Sequence, residues 1–78
     1  SGQGEAMAAN RIQGCRAAVY YNGPIEIVKL SRKHNNANIL SLGARFMTQN
    51  EIFKIIEIWF SESFAAGRHT RRVEKLDQ

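Results

Sequence analysis

Cysteine, proline and long apolar runs are all scarce in this chain. A single cysteine, Cys15, excludes an internal disulfide. In the apolar run Cys15-Arg16-Ala17-Ala18-Val19-Tyr20-Tyr21 it reads as a small hydrophobe packed in a strand rather than as a thiol nucleophile. No stretch approaches the roughly 18 apolar residues of a membrane span, and no segment has the basic, apolar, small-residue order of a secretion signal. The expectation is a soluble, cytoplasmic protein with no membrane partner. No Cys or Asp stands at ligand spacing from His34 or His69, so neither a metal nor another cofactor is expected. No aromatic RNA-binding motif is present either. The chain starts at Ser1 without an initiator methionine, and no strand precedes its first turn, so it is expected to be the C-terminal part of a longer protein or a processed product.

What is present fits one small domain. The 78 residues form a chain of the size that buries only about 60% of its unfolded surface, so a partner chain is expected to complete its stability. Eleven Lys and Arg against seven Asp and Glu give a net charge of +4, which suits anionic ligands. Arg68, Arg71, Arg72 and Lys75 gather with His69 near the C-terminus while the other basic residues are scattered. That distribution suits a compact anion pocket better than a nucleic-acid track, so no nucleic-acid partner is expected.

The first ten residues, Ser1-Gly2-Gln3-Gly4-Glu5-Ala6-Met7-Ala8-Ala9-Asn10, combine two glycines with a helix-favouring run. A tight turn there exposes backbone N–H groups, and the helix adds its positive end. Glu5 in the first helical turn would repel a bound phosphate but is suited to taking a proton from a neutral carbon acid. Two readings stand side by side: a base next to its own oxyanion hole, or a glycine-rich turn with a helix-start carboxylate favoured by the dipole.

The coarse pattern alternates. A helix from about Gly4 to Ile12 stops at Gly14, and a strand follows over Cys15 to Tyr21. Pro24 suits a helix N1 position, with Ile27, Val28, Leu30, Ser31 and His34 at helical spacing. A second strand covers Asn38 to Leu42 and ends at Gly43. Thr48 and Glu51 form a capping box for a helix whose Ile52, Ile55, Ile56, Trp59 and Phe60 make a stripe for the core or a dimer interface. After Gly67 a short basic helix runs from Arg68 to about Leu76. Such alternation argues for an α/β fold with a parallel sheet covered by helices. The loops at Gly2/Gly4, Asn22 and Gly43-Ala44-Arg45 are then expected to share the rim beyond the strands' carboxyl ends.

Ser1-Gly2-Gln3-Gly4-Glu5-Ala6-Met7-Ala8-Ala9-Asn10-Arg11-Ile12-Gln13-Gly14, then His34-Asn35-Asn36-Ala37-Asn38 with Leu42-Gly43-Ala44-Arg45, then Gly67-Arg68-His69-Thr70-Arg71-Arg72-Val73-Glu74-Lys75 resemble the C-terminal half of the type B ribose-5-phosphate isomerase family. The match runs in register across essentially the whole chain. It implies a Rossmann-like three-layer αβα sandwich with a parallel sheet, of which residues 1–78 are the C-terminal part of a single sugar-phosphate isomerase domain. It also implies no metal, a homodimer or tetramer with active sites at the subunit interface, and interconversion of ribose 5-phosphate and ribulose 5-phosphate in the pentose phosphate pathway.

Residue by residue, the resemblance gives Glu5 the role of base between C2 and C1. Ser1, Gly2 and Gly4 would hold the enediolate oxygen, with Ser1 counted among the catalytic residues. His34 would open the sugar ring and Asn35 would contact the substrate. Arg45, Arg68, His69 and Arg72 would bind the phosphate. One branch of the family uses a cysteine upstream of this loop, and position 5 is similar to the glutamate branch. Gly23-Pro24 departs from the more usual polar start of the second helix, and the Asp-His pair of the N-terminal half lies outside this sequence.

The residue types suit that chemistry. Deprotonation beside an aldehyde needs a base at about 3 Å and donors where oxygen charge grows. Arg68 and Arg72, four apart, suggest a forked grip from one helical face, and an imidazole such as that of His34 is a side chain able to exchange a proton with the ring oxygen. Plainer readings remain for each: His34 as a helix-end packing residue, Arg45 as a surface ion-pair partner, and Arg68, Arg71 and Arg72 as a solvated face, where Arg71 is expected to stay. Two other functions also remain, a galactose-6-phosphate or other hexose-phosphate isomerase and a non-catalytic phosphate- or RNA-binding module.

Overall fold

Two short parallel strands carry the molecule. The computed structural model describes residues 1–77. In chain order it has helix α1 (Gln3–Ala9), strand β1 (Ala17–Tyr20), helix α2 (Glu26–Lys33), strand β2 (Ile39–Leu42), a 3-10 turn (Ala44–Phe46), helix α3 (Gln49–Ser61), helix α4 (Thr70–Glu74) and a closing 3-10 turn (Lys75–Asp77). The strands pair with Ala17 opposite Ile39 and Tyr20 opposite Leu42.

Strand alternation sends neighbouring side chains to opposite faces of the sheet. Ala18, Tyr20, Leu40 and Leu42 join Val28, Ala37, Ile55, Trp59, Ile25, Met47 and Ile58 in one core beneath α2 and α3. Ala17, Val19, Ile39 and Ser41 face the other way, toward α1. There the Ser41 hydroxyl donates to the Gly2 carbonyl at 2.7 Å, and Ala6 is buried. Helices thus cover both faces of a parallel sheet, as the alternating pattern requires.

Several boundaries differ from the sequence expectation, each for a local reason. α1 ends at Ala9 rather than Ile12 because the Asn10 side chain turns to the start of β1. Its Oδ1 accepts the Ala17 N–H at 2.7 Å and its Nδ2 donates to the Ala17 carbonyl at 3.1 Å, two bonds that replace a neighbouring strand. α2 is assigned from Glu26 rather than Pro24. Pro24 still opens the chain's turn into it, since the Pro24 carbonyl accepts the Ile27 N–H at 3.1 Å. The capping box of α3 forms as expected: Thr48 Oγ1 accepts the Glu51 N–H at 3.2 Å, and Glu51 Oε1 accepts the Thr48 N–H at 2.8 Å. Those bonds, the backbone one first, hold the Glu51 carboxyl below the usual carboxylate range.

The apolar stripe of α3 divides. Ile55 and Trp59 are in the core, whereas Phe60 is 75% exposed. Trp59 is also covered by the Arg32 guanidinium, 4.7 Å from the ring centroid. Arg32 Nη1 reaches the Ala37 carbonyl at 2.8 Å, which locks the exit of α2 onto α3.

The last helix is shorter than expected and begins at Thr70, not Arg68. Gly67 has φ of 89°, a left-handed conformation that suits glycine, and its N–H donates to Thr70 Oγ1 at 3.2 Å. Arg68 is therefore in the turn before the helix. The spacing of four between Arg68 and Arg72 is not one helical face.

Candidate functional site

The residues singled out in the sequence gather into two groups at opposite ends of the sheet. At the carboxyl ends of the strands, Ser1 and Gly2 lie against the end of β2. Gly2 has φ of 82°. A Cβ there would come within 2.8 Å of Ser41 Oγ and 3.3 Å of the Leu42 carbonyl. Gly43 is equally confined: a Cβ on it would lie 2.5 Å from Tyr21 Cβ and 2.8 Å from the Ser1 carbonyl oxygen. Glycine at both positions is what lets three chain segments converge.

α1 starts at this point, at Gln3. Its ladder begins only where the Ala6 N–H donates to the Gly2 carbonyl at 3.2 Å, and no side chain caps it. The N–H groups of Gln3, Gly4 and Glu5 precede that bond and, as at any helix start, have no partner within the helix. Glu5 is exposed in the same turn. The Gly43-Ala44-Arg45 loop is at this rim as expected, with Arg45 exposed and Phe46 packed on Tyr21 at 5.7 Å between ring centroids. Asn22 is also at this end, on a cavity of about 200 Å³ shared with Glu51 and Lys54.

The second group is where α2 ends and turns into β2. His34 caps α2, and its ring stacks on that of His69, with centroids 4.3 Å apart and planes inclined by 19°. Arg72 joins them from α4. Its Nη1 donates to Asn35 Oδ1 at 2.9 Å and its Nη2 to the His34 carbonyl at 2.6 Å, while Nη2 lies 3.4 Å from His69 Nδ1. Four of the singled-out residues, His34, Asn35, His69 and Arg72, thus form one cluster from segments far apart in the chain. The positive guanidinium also complements the negative C-terminus of α2.

Arg72 donates to every atom it meets, so His69 Nδ1 is an acceptor and the ring proton sits on Nε2. Lost hydration, followed by the positive charges of His34, Arg68 and Arg72, holds the His69 imidazole below its ordinary value.

Arg68 is exposed beside the cluster and Arg71 is exposed on α4. The turn itself is held by two arginines to which the sequence drew no attention. Arg16 Nε donates to the Asn36 carbonyl at 2.7 Å, and Arg32 takes the Ala37 carbonyl. The one available sign was the run His34-Asn35-Asn36-Ala37-Asn38, because asparagine tolerates left-handed backbone and Asn36 has φ of 48°. Nothing in the sequence marked Arg16 as its partner.

The two groups are separated by the length of the strands, about 13 Å at ~3.3 Å per residue, and by the sheet, since α1 and α2 cover opposite faces. A single open-chain pentose phosphate does not bridge them within one chain. Among the described residues no group of three or more His, Cys, Asp or Glu is arranged to hold a metal ion, and no helix is long and apolar enough to cross a membrane.

Residues 1–76 match the model of a family described as Ribose/Galactose Isomerase. The chain is 40% identical over 76 residues to a probable ribose-5-phosphate isomerase B of Mycoplasma genitalium, covering 97% of this chain and 49% of that protein. Among solved structures, ribose 5-phosphate isomerase B of Thermotoga maritima superposes with a TM-score of 0.89 at 42% identity, covering 99% of this chain and 52% of that one. The Mycoplasma genitalium ribose-5-phosphate isomerase B, solved with bound ribulose-5-phosphate, superposes with a TM-score of 0.87 at 40% identity over 96% of this chain and 48% of that one. These likenesses fit the Rossmann-like α/β architecture. The chain spans about half the length of the relatives it matches.

Proposed function

The chain belongs to the ribose/galactose isomerase family, and on that premise we propose that the protein of which it is part interconverts ribose 5-phosphate and ribulose 5-phosphate. Residues 1–78 are then part of a single sugar-phosphate isomerase domain. The observation that carries this reading is the cluster of His34, Asn35, His69 and Arg72, which puts a group able to exchange a proton beside groups able to hold a phosphate. The ribulose-5-phosphate bound to the Mycoplasma genitalium relative supports the same substrate class.

In this reading Glu5 removes the proton from C2 of the aldose and returns it to C1, while the proton of the C2 hydroxyl passes to the C1 oxygen. The carbanion's charge moves onto the carbonyl oxygen as the enediolate forms. Ser1 and the amides around Gly2 and Gly4 stabilise that charge, since fixed donors at an oxyanion act without reorganisation. His34 donates a proton to the ring oxygen so that the cyclic sugar opens, and Asn35 orients its hydroxyls. Arg68, His69 and Arg72 bind the phosphate dianion, with Arg45 adding charge at the other rim. Phosphate binding anchors the substrate far from its reacting carbons, so that binding energy serves orientation.

The separation of the two groups supports the reading that such a site is completed in a homodimer. The Glu5 loop of one subunit meets the His34 and Arg72 cluster of its partner across a two-fold axis, giving two composite sites. The direct test is turnover of ribose 5-phosphate by the full-length protein, compared with galactose 6-phosphate. Ketose formation from the pentose and little from the hexose is the expected outcome. Preference for the six-carbon sugar, or no isomerisation of either, overturns the assignment.

A pH effect follows from His69. Its imidazole is disfavoured as a cation by its surroundings, whereas a bound dianion favours the cation. In the full-length protein its titration midpoint should lie below that of free histidine and move upward on adding inorganic phosphate, as followed by NMR of the imidazole protons. Protonation also costs fold stability. With the folded value depressed, the unfolded chain takes the proton first as pH falls through the ordinary histidine range, so His69 contributes stability above that range and loses it below. A midpoint unmoved by phosphate removes His69 from the anion site.

A further inference from the structure

We propose that Arg16, which has no part in the catalytic or phosphate-binding set above, is a positioning residue that fixes the His34-Asn35 turn in the form that receives the sugar. The inference rests on the isomerase reading of that turn. Its basis is the way the exit of α2 is held. The carbonyls of His34, Asn36 and Ala37 each accept from a different guanidinium: Arg72 at 2.6 Å, Arg16 at 2.7 Å and Arg32 at 2.8 Å. Arg72 meets the substrate cluster itself and Arg32 is committed to Trp59, so Arg16 is the member that acts on the turn from behind.

The surroundings of Arg16 suit a fixed strut. Its side chain is 17% exposed, and Nη1 is 3.3 Å from both Asp77 Oδ2 and the Gly14 carbonyl. Asp77 Oδ1 in turn accepts the Gly14 N–H at 2.9 Å, and the Gln13 side chain donates to the Asp77 carbonyl. The Arg16 backbone is tied to the same turn, for its N–H donates to Asn38 Oδ1 at 2.8 Å and its carbonyl accepts from Asn38 and Ile39. Asn36 has left-handed backbone, which asparagine tolerates better than other non-glycine residues, and the Arg16 bond fixes its carbonyl in that conformation. Rotation of the peptide between Asn36 and Ala37 would release the Arg16 bond and, with it, the bond from the Ala37 N–H to the Ser31 carbonyl at 2.9 Å, loosening the turn that presents His34 and Asn35 to Arg72. The segment 70–77 therefore grips the turn twice, directly through Arg72 and through Asp77 by way of Arg16.

The test uses the full-length protein and two readouts. Arg16→Met should raise KM for ribose 5-phosphate about tenfold while kcat falls less than threefold, because the proton-transfer loop at Glu5 is untouched. The imidazole NMR signals of His34 and His69 should shift as their stacking loosens. Arg16→Lys keeps the charge opposite Asp77 but lacks the fork that serves Asp77 and Asn36 together, so a smaller rise in KM is expected. It also provides the measurement if Arg16→Met does not fold. An unchanged KM in the folded variant overturns the proposal, as does a loss confined to kcat. Unmoved imidazole signals overturn it too, and that readout stands whether or not the wild-type protein proves to be an isomerase. Absence of wild-type turnover would instead count against the isomerase reading alone.

Discussion

Glu5→Gln in the full-length protein should lower kcat for ribose 5-phosphate by about 10³-fold, the range associated with losing a general base, with KM within a few-fold of wild type. Glutamine keeps the size and polarity of the side chain but does not accept the C2 proton. Glu5 is exposed in the first turn of α1, so the substitution leaves the buried contact of Ala6 in place. The structural cost is limited to the favourable placement of an acid near a helix N-terminus, about 0.3–1 kcal/mol. A large drop in turnover with intact folding and substrate affinity therefore reports chemistry. Turnover equal to wild type would remove Glu5 from the mechanism and leave it as a helix-start residue.

Arg72→Ala should act on the other side of the free-energy balance. It should weaken binding of the phosphorylated sugar by about 10²-fold, as expected for truncating a charged hydrogen-bonding partner worth ~2–3 kcal/mol. Competition by inorganic phosphate should weaken in parallel. Arg72 is exposed and lies outside the core, which is built from Tyr20, Val28, Ala37, Ile55 and Trp59, so a folded variant is expected. Its bonds to the His34 carbonyl and Asn35 Oδ1 will be lost as well. Arg72→Lys separates the two contributions: lysine restores a charge but not two parallel donors. Partial recovery of phosphate affinity is the expected result. Affinity for ribose 5-phosphate unchanged in Arg72→Ala would discard the anion clamp, whatever happens to turnover.

These two effects fall on residues from opposite ends of the sheet, and local patterning does not reveal that separation. The α/β class was legible because apolar strands and amphipathic helices alternate with clear punctuation. Thr48 with Glu51 announced the start of α3, and the bonds they predict are formed. The gathering of Gly2 and Gly43 was also foreseeable, since ends of parallel strands share a rim. Other boundaries moved where a side chain outcompeted helix propensity. Asn10 ends α1 by bonding to both backbone groups of Ala17, an interaction that joins residues seven positions apart and has no periodic signature. The i, i+4 reading of Arg68 and Arg72 failed because the turn at Gly67 delays the helix to Thr70. Arg16 was passed over because an arginine beside a strand looks the same in sequence whether it faces water or supports a turn.

By itself the sequence determined the order and kind of the elements and the family, and it nominated the side chains proposed for the chemistry, because propensity, capping and hydrophobic period act over a few neighbouring residues. Only the tertiary structure decided which of those side chains meet. It brought His34, Asn35, His69 and Arg72 together and kept the Ser1–Glu5 loop at the far end of β2, across the sheet. Strand direction and the face each helix covers set those distances, and both follow from packing among residues remote in the chain.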